Sequence, residues 1–136
     1  MHGMQYKSIL IVDDDIDLMM LLERELLKRG YIVETAASLP EAEEFLGAHA
    51  PDLVLLDINL DGDDGRQLCW KIKRNEQHHA KVMMMSGFDF HPSRSILFGA
   101  DDFLAKPFNI EMLTSKVKSL IGIAVATKEE DPSRSS

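Results

Sequence analysis

Short apolar runs alternate five times with segments of helical periodicity, and this alternation limits the possible folds more than any other feature of the chain. The runs occupy residues 8–12, 31–36, 53–56, 81–85 and 103–105. The first of them, SILIV, is apolar almost throughout, which is typical of a strand covered on both faces. Strict strand–helix alternation with short connections predicts right-handed βαβ units and a parallel sheet between helices.

Helical spacing of apolar residues predicts helices that begin near residues 16, 38, 68, 92 and 109. Ser38 and Glu41 match the S-x-x-E capping box, and Asn109 is a suitable cap for the last helix. Gly30 follows a basic last turn and is a stop signal for the first helix. Five strand–helix units predict an α/β, doubly wound, flavodoxin-like (βα)5 fold with the parallel sheet order 2-1-3-4-5.

The length of 136 residues fits one domain, which we predict over residues 7–122. Residues 1–5 are interpreted as a ragged start. Residues 123–136 lose the apolar pattern and are predicted to be a disordered tail or a linker. Cys69 is the only cysteine, so no disulfide forms within the chain, and it is interpreted as a core residue.

The formal net charge of −8 argues against direct binding of nucleic acid, because an acidic surface repels phosphate backbones. No signal-peptide pattern and no apolar run of membrane-spanning length occur in the sequence. The sequence therefore favours a cytoplasmic protein that makes no contact with a membrane.

Polar and charged residues collect where the predicted strands end. Asp13 and Asp14 follow the first strand, Asp57 ends the third, Ser86 the fourth, and Lys106 comes directly after the fifth. Ligands of doubly wound sheets bind beyond the carboxyl ends of the strands, near the switch between strands 1 and 3. The fold is therefore expected to gather these residues in one crevice.

Three carboxylates in one crevice repel one another unless a cation compensates their charge. Mg²⁺ suits such a site, because it prefers oxygen ligands and accepts one or two carboxylates besides water. The Lys106 ammonium and the Ser86 hydroxyl would then complete a site for a phosphoryl group, with Asp57 as the nucleophile that forms an acyl phosphate. The pattern predicts phosphoryl transfer.

Motifs spread over residues 7–122 together resemble the receiver domain of two-component response regulators. They are IVDD at 11–14, LLDINL at 55–60, Asp64-Gly65, Ser86-Gly87 and GADDFLAKPF at 99–108. The resemblance implies that Asp57 is the phosphorylated aspartate. It also implies that Asp14 binds Mg²⁺ directly, that Asp13 acts mostly through water and that Asn59 offers its backbone carbonyl to the metal.

The resemblance further implies that Ser86 turns toward the phosphoryl group, that Phe103 is the aromatic switch and that Lys106 belongs to the K-P pair, often followed by a cis bond. A histidine kinase or phosphotransfer protein would be the donor. A downstream protein or output domain would bind the face of helix 4, strand 5 and helix 5. Such a module is not an enzyme for a separate substrate, since it catalyses only its own phosphorylation and slow dephosphorylation. A stand-alone regulator and a piece of a longer protein both stay open.

Three residues depart from the family pattern. Asp61 stands where proline is common, four residues after Asp57, and with Gly62 it predicts a more mobile loop and extra negative charge. Phe103 lacks the hydroxyl of the tyrosine found in many relatives. Phe88, two residues after Ser86, is bulky beside the path of an attacking water, and we hypothesise slow self-dephosphorylation.

Two alternatives are considered. Asp13-x-Asp15 matches the D-x-D of Mg²⁺-dependent phosphohydrolases of the haloacid-dehalogenase type, but that interpretation leaves Asp57 without a role. A degenerate receiver that serves only as a binding module is the other, and the intact set of site residues argues against it. Asp15 and Asp17 are interpreted as capping and dipole residues of the first helix.

Overall fold

A central parallel sheet organises the chain, of which the computed structural model describes residues 4–87 and 98–127. In chain order the strands are β1 (Met4–Tyr6), β2 (Ser8–Val12), β3 (Ile32–Ala36), β4 (Leu53–Asp57), β5 (Asn59–Leu60), β6 (Asp63–Asp64), β7 (Lys81–Ser86), β8 (Asp102–Ala105) and β9 (Val125–Thr127). The helices are α1 (Ile16–Lys28), α2 (Leu39–Ala48), α3 (Arg66–Arg74) and α4 (Ile110–Ile121). The sheet has the order β3-β2-β4-β7-β8, which confirms the predicted 2-1-3-4-5 topology.

Both faces of the sheet are covered, because alternate residues of each central strand point to opposite sides. One cluster joins the sheet to α1 and α4 through residues such as Ile9, Leu55, Met83, Leu22 and Leu113. The other joins it to α2 and α3 through Leu10, Leu56, Met84, Leu46 and Cys69. Burial of Met83, Met84 and Met85 confirms their prediction as core residues, and Cys69 is likewise fully buried.

Helix N-termini agree with the capping signals in the sequence. The Ser38 hydroxyl accepts a hydrogen bond from the Glu41 amide at 3.3 Å, and the Glu41 carboxylate accepts one from the Ala37 amide at 3.0 Å. Asn109 caps α4 by accepting from the Met112 amide at 2.7 Å. The helix predicted to begin at Pro92 and Ser93 lies outside the described residues.

The two ends of the described chain pair as a two-stranded ribbon. β1 pairs antiparallel with β9, from Met4 opposite Thr127 to Tyr6 opposite Val125. The ribbon is continued by a bond from the Lys7 amide to the Ala124 carbonyl at 2.7 Å. Residues 4 and 5, from the predicted ragged start, and residues 125–127, from the predicted tail, thus lie in paired strands whose backbone groups hydrogen-bond one another. The limits of the domain at residues 7 and 122 stay a prediction.

Candidate functional site

Three carboxylates meet at the carboxyl end of the sheet, where β2 and β4 lie side by side. Asp13 follows β2 and is fully buried, Asp57 ends β4 and is 6% exposed, and Asp14 faces solvent. One oxygen from each of the three lies within 4.8 Å of the others. Parallel strands end at the same edge of a sheet, so the topology gathers Asp57 with Asp13 and Asp14, which lie 44 and 43 positions before it in the chain.

Lys106 is the cation of this cluster within the described residues. It follows β8, and its Nζ lies 2.9 Å from Asp13 Oδ2 and 3.4 Å from Asp57 Oδ2. Its side chain is 24% exposed, which leaves one side open to the solvent of the crevice. The backbone is anchored as well, since the Lys106 amide donates to the Ser86 carbonyl at 2.6 Å. The peptide bond between Lys106 and Pro107 is cis, as the family resemblance implied.

The electrostatics of the site are only partly balanced. The pKa of Asp57 is raised to about 6, because burial and the negative charge of Asp13 raise it by more than Lys106 and the Asn59 amide lower it. Burial lowers the pKa of Lys106, but its hydrogen bond and charge interactions with Asp13, followed by those with Asp57, leave the pKa above its ordinary value. Lys106 is thus held as a cation chiefly by Asp13, which leaves the Asp57 carboxylate short of positive charge.

The remaining predicted residues divide into two groups. Asn59 and Ser86 line the same crevice, and the Asn59 amide donates to Asp57 Oδ1 at 3.2 Å. Phe103 does not line it; the ring is partly buried against the cluster on the α2 and α3 side of the sheet. Phe88 lies outside the described residues. The crevice is lined by Asp13, Asp14, Asp15, Asp57, Asn59, Asp61, Gly62, Ser86, Gly87 and Lys106.

Gly65 supports the site from the backbone of Asp57, a role that the sequence did not indicate. Its Cα lies against the backbone of Asp57, and a Cβ at this position would collide with the Asp57 carbonyl oxygen. The Gly65 amide also donates to the Ile58 carbonyl at 2.6 Å. In the sequence Gly65 stands out only as part of the Asp64-Gly65 motif, and the signal for its role is a glycine placed to close the loop after Asp57.

The loop after Asp57 is also more regular than the sequence analysis expected. β5 and β6 pair antiparallel across a turn formed by Asp61 and Gly62. Asp61 has a φ of 50° and Gly62 of 93°, the sign that a type I′ hairpin turn requires at both central residues. The predicted mobile loop is therefore a tight hairpin in the structure.

The donor set fits a divalent cation with oxygen ligands. Carboxylate oxygens of Asp13, Asp14 and Asp57 lie close enough together to share one ion, and two of the three side chains are buried at the base of the crevice. Hard oxygen ligands of this number suit Mg²⁺ or Ca²⁺ better than a metal that prefers nitrogen or sulfur.

The match to a known family decides what kind of domain carries this site. The model of the response regulator receiver domain matches residues 9–118. The chain belongs to the response regulator receiver domain family. Receiver domains are signalling modules of two-component systems, and as a family they interact with kinases and output domains.

Individual relatives agree with this assignment. The transcriptional regulatory protein AfsQ1 of Streptomyces coelicolor is 31% identical over 114 residues, 84% of this chain. The chain spans about half of that relative, 51% of its length. A two-component response regulator from Clostridium difficile superposes with a TM-score of 0.76 at 31% identity, covering 84% of this chain and 94% of that one.

A third relative has a bound group and an ion. It is a response regulator protein from Burkholderia pseudomallei, solved with a phosphorylated aspartic acid, a calcium ion and citrate. It superposes with a TM-score of 0.71 at 27% identity and covers 83% of this chain and 71% of that one.

Within residues 4–87 and 98–127 of the present chain, no helix has the length and apolar character needed to cross a membrane.

Proposed function

We propose that this receiver domain accepts a phosphoryl group on Asp57 in a Mg²⁺-dependent reaction, with a histidine kinase or phosphotransfer protein as the donor. The observation that carries the proposal is the placement of Lys106 Nζ 3.4 Å from Asp57 within a cluster of three carboxylates. The cluster offers a site for a cation, and Lys106 offers a second positive charge beside the Asp57 carboxylate. The phosphorylated aspartic acid and the calcium ion in the Burkholderia protein support the same chemistry for this chain.

The residues at the site have distinct parts in this reaction. A bond forms between a carboxylate oxygen of Asp57 and phosphorus while the bond from phosphorus to the imidazole nitrogen of the donor breaks, and the bonding electron pair leaves with the imidazole. Asp14, Asp57 and the Asn59 carbonyl would hold Mg²⁺, with Asp13 acting through water, and the ion would supply positive charge to the phosphoryl oxygens. Lys106 neutralises a further oxygen, and the Ser86 hydroxyl donates to another.

The elevated pKa of Asp57 is consistent with this function. A carboxylate short of positive charge gains stabilisation when a divalent cation enters, so metal binding and nucleophile activation are coupled. After transfer, movement of Ser86 and Phe103 would remodel the face that the family presents to output partners. Phe103 is partly buried, so a change in its ring position alters the surface beside β8.

The phosphohydrolase alternative is not favoured by the geometry. Asp15, the second acid of the D-x-D pattern, accepts a hydrogen bond from the Leu18 amide at 3.1 Å and caps α1. The carboxylate that joins Asp13 and Asp14 in the cluster is Asp57, which the phosphohydrolase interpretation leaves without a role.

The test is intact-mass spectrometry after incubation with acetyl phosphate, with and without Mg²⁺. We expect one added phosphoryl group that requires Mg²⁺, is absent from Asp57→Asn and is retained by Asp63→Asn. Asp63 is a suitable control because it is exposed on the neighbouring hairpin and does not line the crevice. Labelling of Asp57→Asn to the same extent as the unaltered protein would disprove the assignment of the phosphoacceptor.

A further inference from the structure

The hairpin of β5 and β6 brings one more carboxylate to the crevice. Asp61 and Gly62 occupy its turn, and both residues line the crevice beside Asp57. Aspartate tolerates a positive φ better than most residues, and Asp-Gly is a favoured pair for a type I′ turn. The local sequence therefore encodes a turn that places the Asp61 side chain at the wall of the site.

The hairpin is fastened to the domain, so the position of Asp61 is defined. Leu60 is only 2% exposed and packs in the cluster under α2 and α3. The Asn59 carboxamide accepts a hydrogen bond from the Gly62 amide at 3.4 Å. At the other end, the Arg66 guanidinium binds both carboxylate oxygens of Asp64, with distances of 2.9 and 2.7 Å. These contacts fix both strands on either side of the turn.

The other charges of the crevice have defined roles, whereas Asp61 has none in the proposed reaction. Asp13 is paired with Lys106, and Asp15 caps α1. Asp61 is exposed at the crevice wall and adds negative charge where a donor must enter. Solvent screens the interaction of an exposed charge with other charges, but the charge still repels negative charge that develops nearby during a reaction.

We propose that Asp61 determines the donor specificity of the site by disfavouring phosphodonors with an anionic leaving group. This inference rests on the proposed phosphorylation of Asp57. When an acyl phosphate reacts, the new bond forms from the Asp57 oxygen to phosphorus, the P–O bond breaks, and its electron pair leaves on a carboxylate. Negative charge thus develops on the outer side of the phosphorus, in the crevice that Asp61 lines.

A donor in which phosphorus is bound to nitrogen meets less of this repulsion. In phosphoramidate the nitrogen is already protonated, so the P–N bond breaks with its electron pair and neutral ammonia leaves. A phosphohistidine whose second ring nitrogen is protonated likewise releases a neutral imidazole. Asp61 therefore raises the barrier for acyl phosphates and has a smaller effect on P–N donors, which favours phosphorylation by a protein phosphohistidine over metabolic acyl phosphates.

The experiment compares rates of Asp57 phosphorylation by acetyl phosphate and by phosphoramidate in the unaltered protein, Asp61→Asn and Asp63→Asn. Asparagine also accepts a positive φ, so the turn is retained. Mg²⁺ is kept saturating for each protein, as established by calorimetric titration, so that a change in metal affinity does not alter the ratio. At low ionic strength we expect Asp61→Asn to raise the ratio of the acetyl phosphate rate to the phosphoramidate rate by about two- to five-fold.

The expected gain disappears at high ionic strength, and Asp63→Asn leaves the ratio unchanged. A ratio that is the same for Asp61→Asn and the unaltered protein at low ionic strength would overturn the role of Asp61 and leave the proposed function standing. An equal rise with Asp63→Asn would also overturn it, because the effect would then belong to net charge and not to the crevice. Absence of labelling with both donors would overturn the proposed function and this inference together.

Discussion

The two edges of the central sheet use aspartates in opposite ways. At the amino edge, Asp52 and Asp101 each precede a strand. Their carboxylates accept hydrogen bonds from amides near the start of the neighbouring strand, those of Ser8 and Val82, both at 2.8 Å. Asp101 is also paired with Lys73 at 2.5 Å. At the carboxyl edge, the Asp57 carboxylate accepts a hydrogen bond from one amide and shares Lys106 with the buried carboxylate of Asp13.

This difference distinguishes aspartates that stabilise the fold, such as Asp52 and Asp101, from an aspartate suited to a reaction, Asp57. Carboxylates whose partners are all supplied by the protein strengthen the folded state. A carboxylate whose compensation is incomplete weakens the fold until a ligand supplies the missing charge, and such groups concentrate at functional sites. The pKa of Asp57, raised to about 6, marks it as a residue of the second kind.

The largest expected effect tests how tightly the carboxyl edge is built. Gly65→Ala places a Cβ against the Asp57 carbonyl, so we expect a loss of about 3 kcal/mol in the free energy of unfolding. Gly47→Ala is the matched control, because a Cβ there meets nothing within 4 Å and alanine favours the helix. Urea denaturation of both variants measures the difference. Equal stability of the two variants would mean that the backbone of the loop after Asp57 shifts at little cost to make room for the Cβ.

The second prediction compares how Asp57 and Asp52 contribute to the free energy of unfolding at different pH values. In the metal-free protein a raised pKa means that the folded state binds a proton more tightly than the unfolded state. The Asp57 contribution to stability therefore falls as the pH rises from the ordinary value of 3.8 to about 6 and stays low above that. We expect Asp57→Asn to stabilise the metal-free protein by about 1–3 kcal/mol at pH 8 and by little at pH 4.

The matched variant at the amino edge is Asp52→Asn. Its carboxylate accepts from both the amide and the hydroxyl of Ser8, so removal of the charge is expected to cost up to about 1 kcal/mol at pH 8. Thermal denaturation in the presence of a chelator at pH 4 and pH 8 compares the two variants. If Asp57→Asn were also destabilising at pH 8, the Asp57 carboxylate would be as well compensated as Asp52, and the contrast between the edges would fail.

Much of this arrangement was predictable from the sequence, because it depends on regular alternation and on which residues end the strands. Asp13, Asp57 and Lys106 were expected to meet once the sheet order was known, since parallel strands end together. The terminal ribbon was not predictable, because β1 and β9 are three residues each and lie at opposite ends of the described chain. Strands that short have no periodicity to detect.

The hairpin of β5 and β6 and the role of Gly65 were not predictable from the sequence for a different reason. Asp61-Gly62 was present as a turn signal, but the strands on either side have two residues each, too few to distinguish a hairpin from a loop. The requirement for glycine at position 65 comes from the backbone of Asp57, a contact that no local pattern records. Sequence reasoning identified the reacting groups and missed the backbone that holds them.

The smallest expected effect concerns the neutral contacts of the amino edge. The buried Tyr31 hydroxyl donates a hydrogen bond to the Gly122 carbonyl at 2.8 Å, next to the terminal ribbon. Tyr31→Phe removes that donor and leaves the carbonyl short of a partner, so we expect a loss of about 1 kcal/mol. Hydrogen exchange adds a local measurement, because protection of the Lys7 amide, which donates to Ala124, should fall more than protection within β4. Uniform loss of protection would instead show that the ribbon and the central sheet open together, so that the amino edge is part of the same cooperative unit as the site.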